Sequence, residues 1–479
     1  MPGLSSLETG KRALMAQRLG LDVTSNNIAN VNTPGYSRRS ALLSETYPNT
    51  LGGKFIGSGV MAERLRTYRE DFFDREIRMS YSRQFGFEAD AKIFNRIETM
   101  LGEPSGINIG ETADNFFNFF NELAASPADT GLRENVLSKA KTLVEQFHTL
   151  ARNISDTRQE VHNMARLNVE NANSLISDIA KLNKSITSTT KFKQESQTLI
   201  DQRELKLEEL SKILDINVTT NADGALNVFS GGINLVTAGI ANKLKLNEKI
   251  NAATGERTLQ LQSIDHKGNV LNNIKPNGGE LESQLRHFNI TLDDKDTSGG
   301  FSVMKQIDAF ANAIVQNVNS ITVDGYGLDD DTAPPPGRSF FAPETGTATA
   351  ATIEISTDVL NDARAIPLSD SPDEQGNNVI AMRLAGLASD SGFLNGETPA
   401  SYYATFAGNF GMISKEASNG KEASGLISSQ LESQRESIIG VNTDEEAVNL
   451  VKYQKAFEAA SRVINTTSQL LTTVINLGR

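Results

Sequence analysis

The sequence predicts a mainly α-helical protein with a small antiparallel β insertion, elongated and divided into several domains. Three observations support this: a long stretch without glycine or proline, a following stretch of alternating apolar residues, and seven-residue apolar repeats at both ends. The length of 479 residues exceeds one domain, since domains average roughly 150 residues. We therefore expect a long-helix bundle body, a β-rich insertion and terminal helices that form a coiled-coil-like inner domain.

The central helices are predicted from apolar spacing. Residues 132–223 contain neither glycine nor proline, and their apolar residues recur in steps of three and four, as on one face of a helix. The pattern weakens over residues 168–173 and ends at the polar residues 188–190. A second helix is predicted from Lys193 to Leu214.

The apolar period changes to two after residue 214, which indicates strands. Asp223-Gly224 predicts a hairpin turn, because glycine accepts the positive φ that a tight turn requires. A small antiparallel region is therefore expected. The predicted strand residues are Ile216 and Val218, Leu226 and Val228, Leu244 and Leu246, Leu259 and Leu261, and Ile353 and Ile355.

Helical spacing returns in the C-terminal half of the chain. One helix is predicted over residues 304–318, followed by a loop-rich stretch at 329–336. From about Asn377 the chain is again predicted to be helical, with breaks near Gly408 and Gly440.

The two ends of the chain carry similar repeats. A sustained seven-residue apolar repeat is typical of a coiled coil. The repeats are Leu7, Leu14, Leu21 and Ile28 near the start, and Leu450, Phe457, Ile464 and Leu471 near the end. A second stripe at the same spacing consists of Ala456, Val463, Leu470 and Leu477. Two stripes indicate two partners, although an ordinary bundle helix stays open as the alternative.

The last helix is predicted to run from Thr443 to Leu477. Thr443 and Glu446 have the spacing of a capping box, in which the hydroxyl and the carboxylate satisfy free backbone N–H groups.

The composition excludes several classes of protein. A formal net charge of −13 disfavours binding to nucleic acid or to anionic membranes. The absence of cysteine excludes disulfides, thiolate nucleophiles and cysteine metal sites. Neither a bilayer-spanning run nor a cleavable signal is found. We therefore expect a protein that stays in the cytosol or leaves by a route that reads no cleavable peptide.

No catalytic or metal-binding constellation is found, so neither an enzyme nor a cofactor is predicted. The histidines lie far apart in the sequence and are predicted at the surface. They are His148, His162, His266 and His287. The aspartates at 329–331 lack the glycine and the distal glutamate of a calcium loop, which favours a solvated turn.

The segment 25–38 resembles the N-terminal signature of flagellar rod, hook and hook-associated proteins. Physically it predicts a helix end, because asparagine tolerates left-handed conformations, Pro34 forbids continuation and Gly35 supplies a turn. Residues 57–60 leading into 69–74, 199–210 and 440–457 also resemble the family. The candidate assembly residues are Asn26, Asn27, Ile28, Ala29, Asn30, Asn32, Thr33, Pro34, Gly35 and Tyr36, with the eight members of the terminal repeats.

The phenylalanine-rich segment 116–133 and the acidic residues 444–446 are more similar to the hook-associated proteins. The resemblance implies a structural adaptor that joins hook to filament, is exported by the flagellar type III system and is located in the extracellular flagellum. It implies as partners the hook protein, a second junction protein, copies of the chain in a ring, and an export chaperone on the C-terminal helix. A hook or rod subunit of the same lineage is the alternative.

Three domains are expected from these patterns and this resemblance. An inner-tube domain combines residues 1–42 and 438–479. A helical body combines 43–214, 279–320 and 376–437, and a β-rich outer insertion combines 215–278 and 321–375.

Overall fold

The computed structural model describes residues 2–47, 49–51, 54–102, 108–191, 197–253, 255–265, 267–295, 299–344 and 346–477. The helices are α1 (Pro2–Ala29), α2 (Asp71–Met100), α3 (Ile109–Ala125), α4 (Thr130–Lys191), α5 (Gln197–Ile213), α6 (Glu280–Arg286), α7 (Val303–Thr322), α8 (Thr357–Asn361), α9 (Val379–Gly386), α10 (Pro399–Ile439) and α11 (Thr443–Leu477). A π-helical turn, His287–Thr291, follows α6.

The strands are short and pair into small antiparallel sheets. They are β1 (Arg39–Glu45), β2 (Asn49–Leu51), β3 (Lys54–Ile56), β4 (Val60–Thr67), β5 (Asn217–Thr220), β6 (Leu226–Ser230), β7 (Ile233–Thr237), β8 (Ile240–Ala241), β9 (Lys243–Ile250), β10 (Arg257–Ile264), β11 (Val270–Ile274), β12 (Phe341–Ala342) and β13 (Glu354–Ile355). The predicted fold class, mainly α with small antiparallel insertions, is confirmed.

The chain divides into two compact units. The first unit comprises Met1–Tyr81, Asn173–Lys243 and Ser424–Arg479, and the second comprises Ser82–Ala172 and Leu244–Ala423. Strands β5 to β11 form two separate sheets, with the order β5-β6-β7-β8 in the first unit and β11-β10-β9 in the second, apart from the first residue of β9. Strands β12 and β13 pair with each other in the second unit.

The second unit is built around a cluster of phenylalanines. Phe116, Phe117 and Phe120 of α3 are fully buried, and the ring of Phe116 lies 5.7 Å from the rings of both Phe340 and Phe341. Aromatic rings bury large apolar areas and prefer such tilted or edge-to-face contacts. These phenylalanines therefore form part of the core of the second unit.

In the first unit, Asn183 of α4 holds the β5–β8 sheet. Its Nδ2 donates to the carbonyls of Leu226, at 2.8 Å, and Ala238, at 2.6 Å. Its Oδ1 accepts from the Leu226 N–H and from Arg203. Because the side chain is fully buried, all of these bonds are needed to offset its removal from water.

A second hairpin was not predicted. Strands β1 and β4 pair in antiparallel fashion from Arg39 opposite Thr67 to Glu45 opposite Val60, with a bulge between Leu42 and Leu43. The alternation of apolar residues is weak here, and none of the described residues of β1 is fully buried. The period-two signal is therefore faint.

The predicted helix and hairpin positions are mostly confirmed. Helix α7 covers the predicted 304–318, α11 has the predicted bounds, and the turn at Gly224 has φ 81°. The break near Gly440 occurs, but the break near Gly408 is wrong, because α10 continues through it. The predicted start of α5 lies outside the described residues.

The prediction of surface histidines fails at His287, which is fully buried. Its Nε2 lies 3.0 Å from Asp90. Burial lowers the pKa of His287, against the opposing effect of that carboxylate. His148 and His162 are half-buried, and His266 lies outside the described residues.

The solvated turn predicted at 329–331 is only partly right. Asp331 is exposed, but Asp330 is half-buried. It accepts a hydrogen bond from Arg338 at 2.8 Å and another from the Gly327 N–H at 2.7 Å. Asp329 pairs with Arg364. Asp329 and Asp330 therefore hold this loop through ion pairs with Arg364 and Arg338.

Candidate assembly site: the terminal helix pair and its joint

Helices α1 and α11 pack against each other in an antiparallel pair. A Cβ atom on Gly10 would lie 2.7 Å from Cγ1 of Ile464, and one on Gly20 would lie 2.6 Å from the Tyr453 ring. Glycine costs about 1 kcal/mol relative to alanine inside a helix. Here it permits a close approach of the two helices that a larger residue would obstruct.

The predicted repeat residues occupy the partly covered faces of this pair. Each is half-buried: Leu7, Leu14, Leu21, Ile28, Leu450, Phe457, Ile464 and Leu471. The only apolar side chains of the described part of this pair that are buried are Ala16 and Val23 of α1 and Ala460 of α11. The pair therefore covers its apolar stripes without enclosing them.

A second apolar surface of α11 is open to solvent. We call it the outer face; its members and exposed fractions are Val448 (68%), Val451 (54%), Val463 (51%), Leu470 (61%) and Val474 (65%). Two residues of the predicted second stripe, Val463 and Leu470, belong to it. Ala456 is half-buried, and the Leu477 side chain is not among those described. Val463, Leu470 and Val474 are spaced by seven and four residues and so lie on one side of the helix. Exposed apolar residues grouped in this way are typical of interaction surfaces.

Asn27 fixes the end of α1 to the start of β1. Its Nδ2 donates to the Arg39 carbonyl, at 2.8 Å, and to Glu446 Oε2, at 3.1 Å. Its Oδ1 accepts from the Arg39 N–H, at 3.2 Å, and from the Tyr36 hydroxyl, at 2.8 Å. The fully buried amide thus uses two donor and two acceptor positions.

Glu446 of α11, near the other end of the chain, accepts hydrogen bonds from both Asn27 and Arg38. Its Oε1 accepts from Arg38 Nε at 2.9 Å, and it lies 2.8 Å from a terminal guanidinium nitrogen. The neighbouring Glu445 pairs with Arg38 at 2.9 Å. The Glu446 side chain is 3% exposed, whereas that of Glu445 is 59% exposed.

The predicted capping box at Thr443 is therefore wrong. Asn442 caps α11, because its Oδ1 accepts from the N–H groups of Asp444, at 3.0 Å, and Glu445, at 3.2 Å. The carboxylate of Glu446 pairs with α1 and the following segment instead. Asparagine is as good an N-cap as serine or threonine, so the sequence pattern did not separate the two possibilities.

The signature turn, residues 30–39, follows α1. Asn30 Nδ2 donates to the Asn26 carbonyl at 2.9 Å, and the Thr33 hydroxyl donates to Asn30 Oδ1 at 3.1 Å. Gly35 has φ 75°. The asparagines of this segment do not have positive φ, so they shape the turn through side-chain hydrogen bonds and Gly35 alone supplies the left-handed conformation.

The remaining candidate residues of the segment differ in exposure. Ile28, Asn30 and Tyr36 are half-buried, whereas Asn26, Ala29, Asn32, Thr33, Pro34 and Gly35 are exposed.

Asp201 of α5 anchors the far end of the signature turn. It accepts from Ser37 at 3.0 Å, Arg39 at 2.9 Å and Arg69 at 3.2 Å. Burial alone would lower the pKa of Arg69, but nearby carboxylates, first that of Glu204, outweigh burial and raise it. The turn is thus held by charged hydrogen bonds, which are stronger than neutral ones.

Sequence reasoning missed Arg38, Arg39, Asp201 and Glu446 as members of this site. Arg38, Asp201 and Glu446 lie within segments that resemble the family, and Arg39 directly follows one. Their mutual contacts span up to 408 residues of sequence, so no local pattern reveals them.

The family model of the flagellar hook-associated protein FlgK helical domain matches residues 94–341, which is more than half of the 479 residues. This chain belongs to the flagellar hook-associated protein FlgK family. The flagella basal body rod protein model matches residues 7–36, and the model of the flagellar basal body rod FlgEFG C-terminal segment matches 433–477. The resemblance inferred from the sequence is confirmed.

Relatives that match along almost the whole of both chains carry the name of the same family. Flagellar hook-associated protein 1 of Bacillus subtilis is 24% identical over 510 residues, which cover 98% of this chain and 97% of that protein. The Escherichia coli protein of the same name is 21% identical, with 99% and 100% covered. The structure of the flagellar hook junction protein FlgK from Burkholderia pseudomallei is similar in fold, with a TM-score of 0.62 and 14% identity over 76% of this chain and 100% of that chain.

Membership of the FlgK family makes the chain a hook-associated structural protein of the extracellular flagellum. The rod and FlgEFG models match only the two ends, whereas the hook-associated model covers the central helices. This difference decides against the hook or rod subunit that the sequence left open.

The described residues also bear on membrane-spanning segments and metal sites. None of the described helices is long and apolar enough to cross a membrane. Within the same residues, no group of three or more histidine, aspartate and glutamate side chains could hold a metal ion.

Proposed function

We propose that this chain is the adaptor that joins hook to filament, and that it attaches at the hook tip through α1 and α11. The observation that carries this proposal is the outer face of α11, an apolar surface without a partner, on a helix whose other side is covered by α1. A helix that is apolar on two sides needs two partners. One partner belongs to the chain, and the other is supplied by the assembly.

The proposed partners follow from this arrangement and from the family. They are the hook protein on one side, a second junction protein on the other, and copies of the chain beside it in a ring. Before assembly, an export chaperone covers the C-terminal helix, and the flagellar type III system carries the chain out of the cell. Neither nucleic acid nor a membrane is a proposed partner.

The proposed inner-tube domain is the terminal pair, residues 1–42 with 438–479. In the free chain its ends are proposed to be mobile or held by the chaperone, because half-buried stripes provide little stabilisation. The body and the β-rich insertion have the bounds given above. Since the family is structural, we propose no catalytic activity.

A deletion strain tests this function directly. Electron microscopy of flagella from cells that lack the chain is expected to reveal hooks without filaments, with filament subunits released into the medium. Cells that lack hooks as well would indicate a hook or rod subunit. Normal filaments would exclude the adaptor role.

A further inference from the structure

We infer that Glu446 is a latch that couples the docking of α11 to the ordering of the signature turn. The inference rests on the proposed function in one respect, namely that the terminal helices order as the chain assembles. It adds a mechanism by which one end of the chain responds to the other.

Both oxygens of the Glu446 carboxylate are used. One accepts from Asn27 at 3.1 Å, and the other lies 2.9 Å from Arg38 Nε. Asn27 and Arg38 belong to segments that precede and enter β1, whereas Glu446 lies in the first turns of α11. A single carboxylate therefore joins the two ends of the chain.

Removing this carboxylate would disturb the signature turn by way of Asn27. Its other bonds hold the Arg39 N–H and carbonyl and the Tyr36 hydroxyl. Without Glu446, the buried amide of Asn27 loses one acceptor and the guanidinium of Arg38 keeps only Glu445, which is unfavourable. The side chains can then rotate towards solvent, and the backbone bonds to Arg39 are lost with them.

Glu445 provides a matched comparison within the same helical turn. It is adjacent in sequence and carries the same charge. It pairs with Arg38 at 2.9 Å, but no hydrogen bond joins it to Asn27 among the described contacts, and its side chain is 59% exposed. Removing it should weaken one ion pair without disturbing the amide.

The latch stabilises the state in which α11 is paired with α1, a state that the free chain reaches part of the time and that hydrogen exchange can therefore detect. Any partner that covers the first turns of α11 withholds Glu446 from Asn27 and Arg38, so the signature turn stays loose while that partner is bound. When the partner leaves and α11 pairs with α1, the turn becomes ordered in the same step.

Hydrogen exchange of the purified full-length chain tests the coupling. Alanine at either position keeps the helix propensity equal, so we compare Glu446→Ala with Glu445→Ala. Amides of residues 36–39 are expected to exchange at least about ten times faster in Glu446→Ala and at most about twice as fast in Glu445→Ala. Exchange in α3 and α7 should be unchanged in both variants.

Two results would overturn the latch. One is faster exchange confined to the start of α11, with residues 36–39 unchanged. The other is loss of protection in α3 and α7 as well, which would make Glu446 a residue of general stability.

A double variant adds an independent criterion. If Asn27 and Glu446 act as one unit, the amides of residues 36–39 in the double variant Asn27→Ala, Glu446→Ala should exchange about as fast as in the faster of the two single variants. If the rate increases of the two single variants multiply in the double variant, the two residues act independently and the coupling is contradicted. Because this experiment contains neither hook nor filament, its failure would leave the adaptor proposal standing, and a failed microscopy test would leave the latch standing.

Discussion

Helices α3 and α11 differ in how far their apolar side chains are buried. In α3, the side chains of Phe116, Phe117 and Phe120 are fully buried within the second unit. In the described part of α11, only Glu446 and Ala460 are buried, and the outer face is more than half exposed. The first helix is stabilised by its own unit, whereas the second packs on α1 and is held at its start by a polar joint.

The difference between α3 and α11 indicates which region stabilises the fold and which region serves assembly. Burial of a large apolar side chain contributes roughly 1.5–3 kcal/mol, so the phenylalanine cluster stabilises the second unit strongly. The terminal pair has half-buried stripes and charged hydrogen bonds instead. Changes in the cluster should therefore unfold the protein, whereas changes in the terminal pair should impair assembly and leave the fold intact.

The largest expected effect is in the phenylalanine cluster. Phe116→Ala leaves a cavity among Phe340, Phe341 and their neighbours and should cost about 3–5 kcal/mol. Urea unfolding followed by circular dichroism measures this loss. Phe119→Ala is the matched control, because Phe119 is half-buried, and it should cost clearly less. Equal losses for the two variants would remove the distinction between core and periphery.

The next effect is in the signature turn. Gly35→Val places a β-branched side chain at φ 75°, which should cost about 1–3 kcal/mol locally. The melting of the second unit should hardly change, while incorporation at the hook tip falls. If filament number and motility stay normal, the turn is not part of the assembly site.

The sequence predicted most of the helices, because amphipathic spacing and Gly-Pro punctuation are local signals. It placed α7 and α11 correctly and identified the signature turn. It missed the pairing of Arg38 with Glu446 and of Arg39 with Asp201, since those contacts depend on the tertiary arrangement. It also misjudged His287, because nothing in its neighbours reveals the carboxylate of Asp90.

The smallest expected effect is at the close approach of α1 and α11. Alanine at both Gly10 and Gly20 should separate the helices, since each new Cβ overlaps Ile464 or Tyr453. Overpacking costs about 1–3 kcal/mol at a site, reduced by the gain of about 1 kcal/mol from replacing glycine in a helix. Limited proteolysis should then cut the termini faster than in the wild-type chain.

Gly408→Ala is the control for this pair. Nothing lies within 4 Å of a Cβ at Gly408 in α10, so alanine should stabilise the protein slightly. If the Gly10 and Gly20 variant were stabilised as well, the two helices would not require glycine at their contact.

The most direct test of the division between body and assembly module is the double variant Leu450→Asp with Phe457→Asp. Both residues are half-buried in α11, so the charges should disrupt the terminal pair and its docking. Asn465→Asp with Thr466→Asp adds the same charge at exposed positions and serves as the control. Circular dichroism of the purified chains and microscopy of complemented deletion cells are measured together. We predict a near-normal helical signal and hooks without filaments for the first variant, and normal filaments for the control. A collapsed helical signal in the first variant would place α11 in the main core and contradict the account.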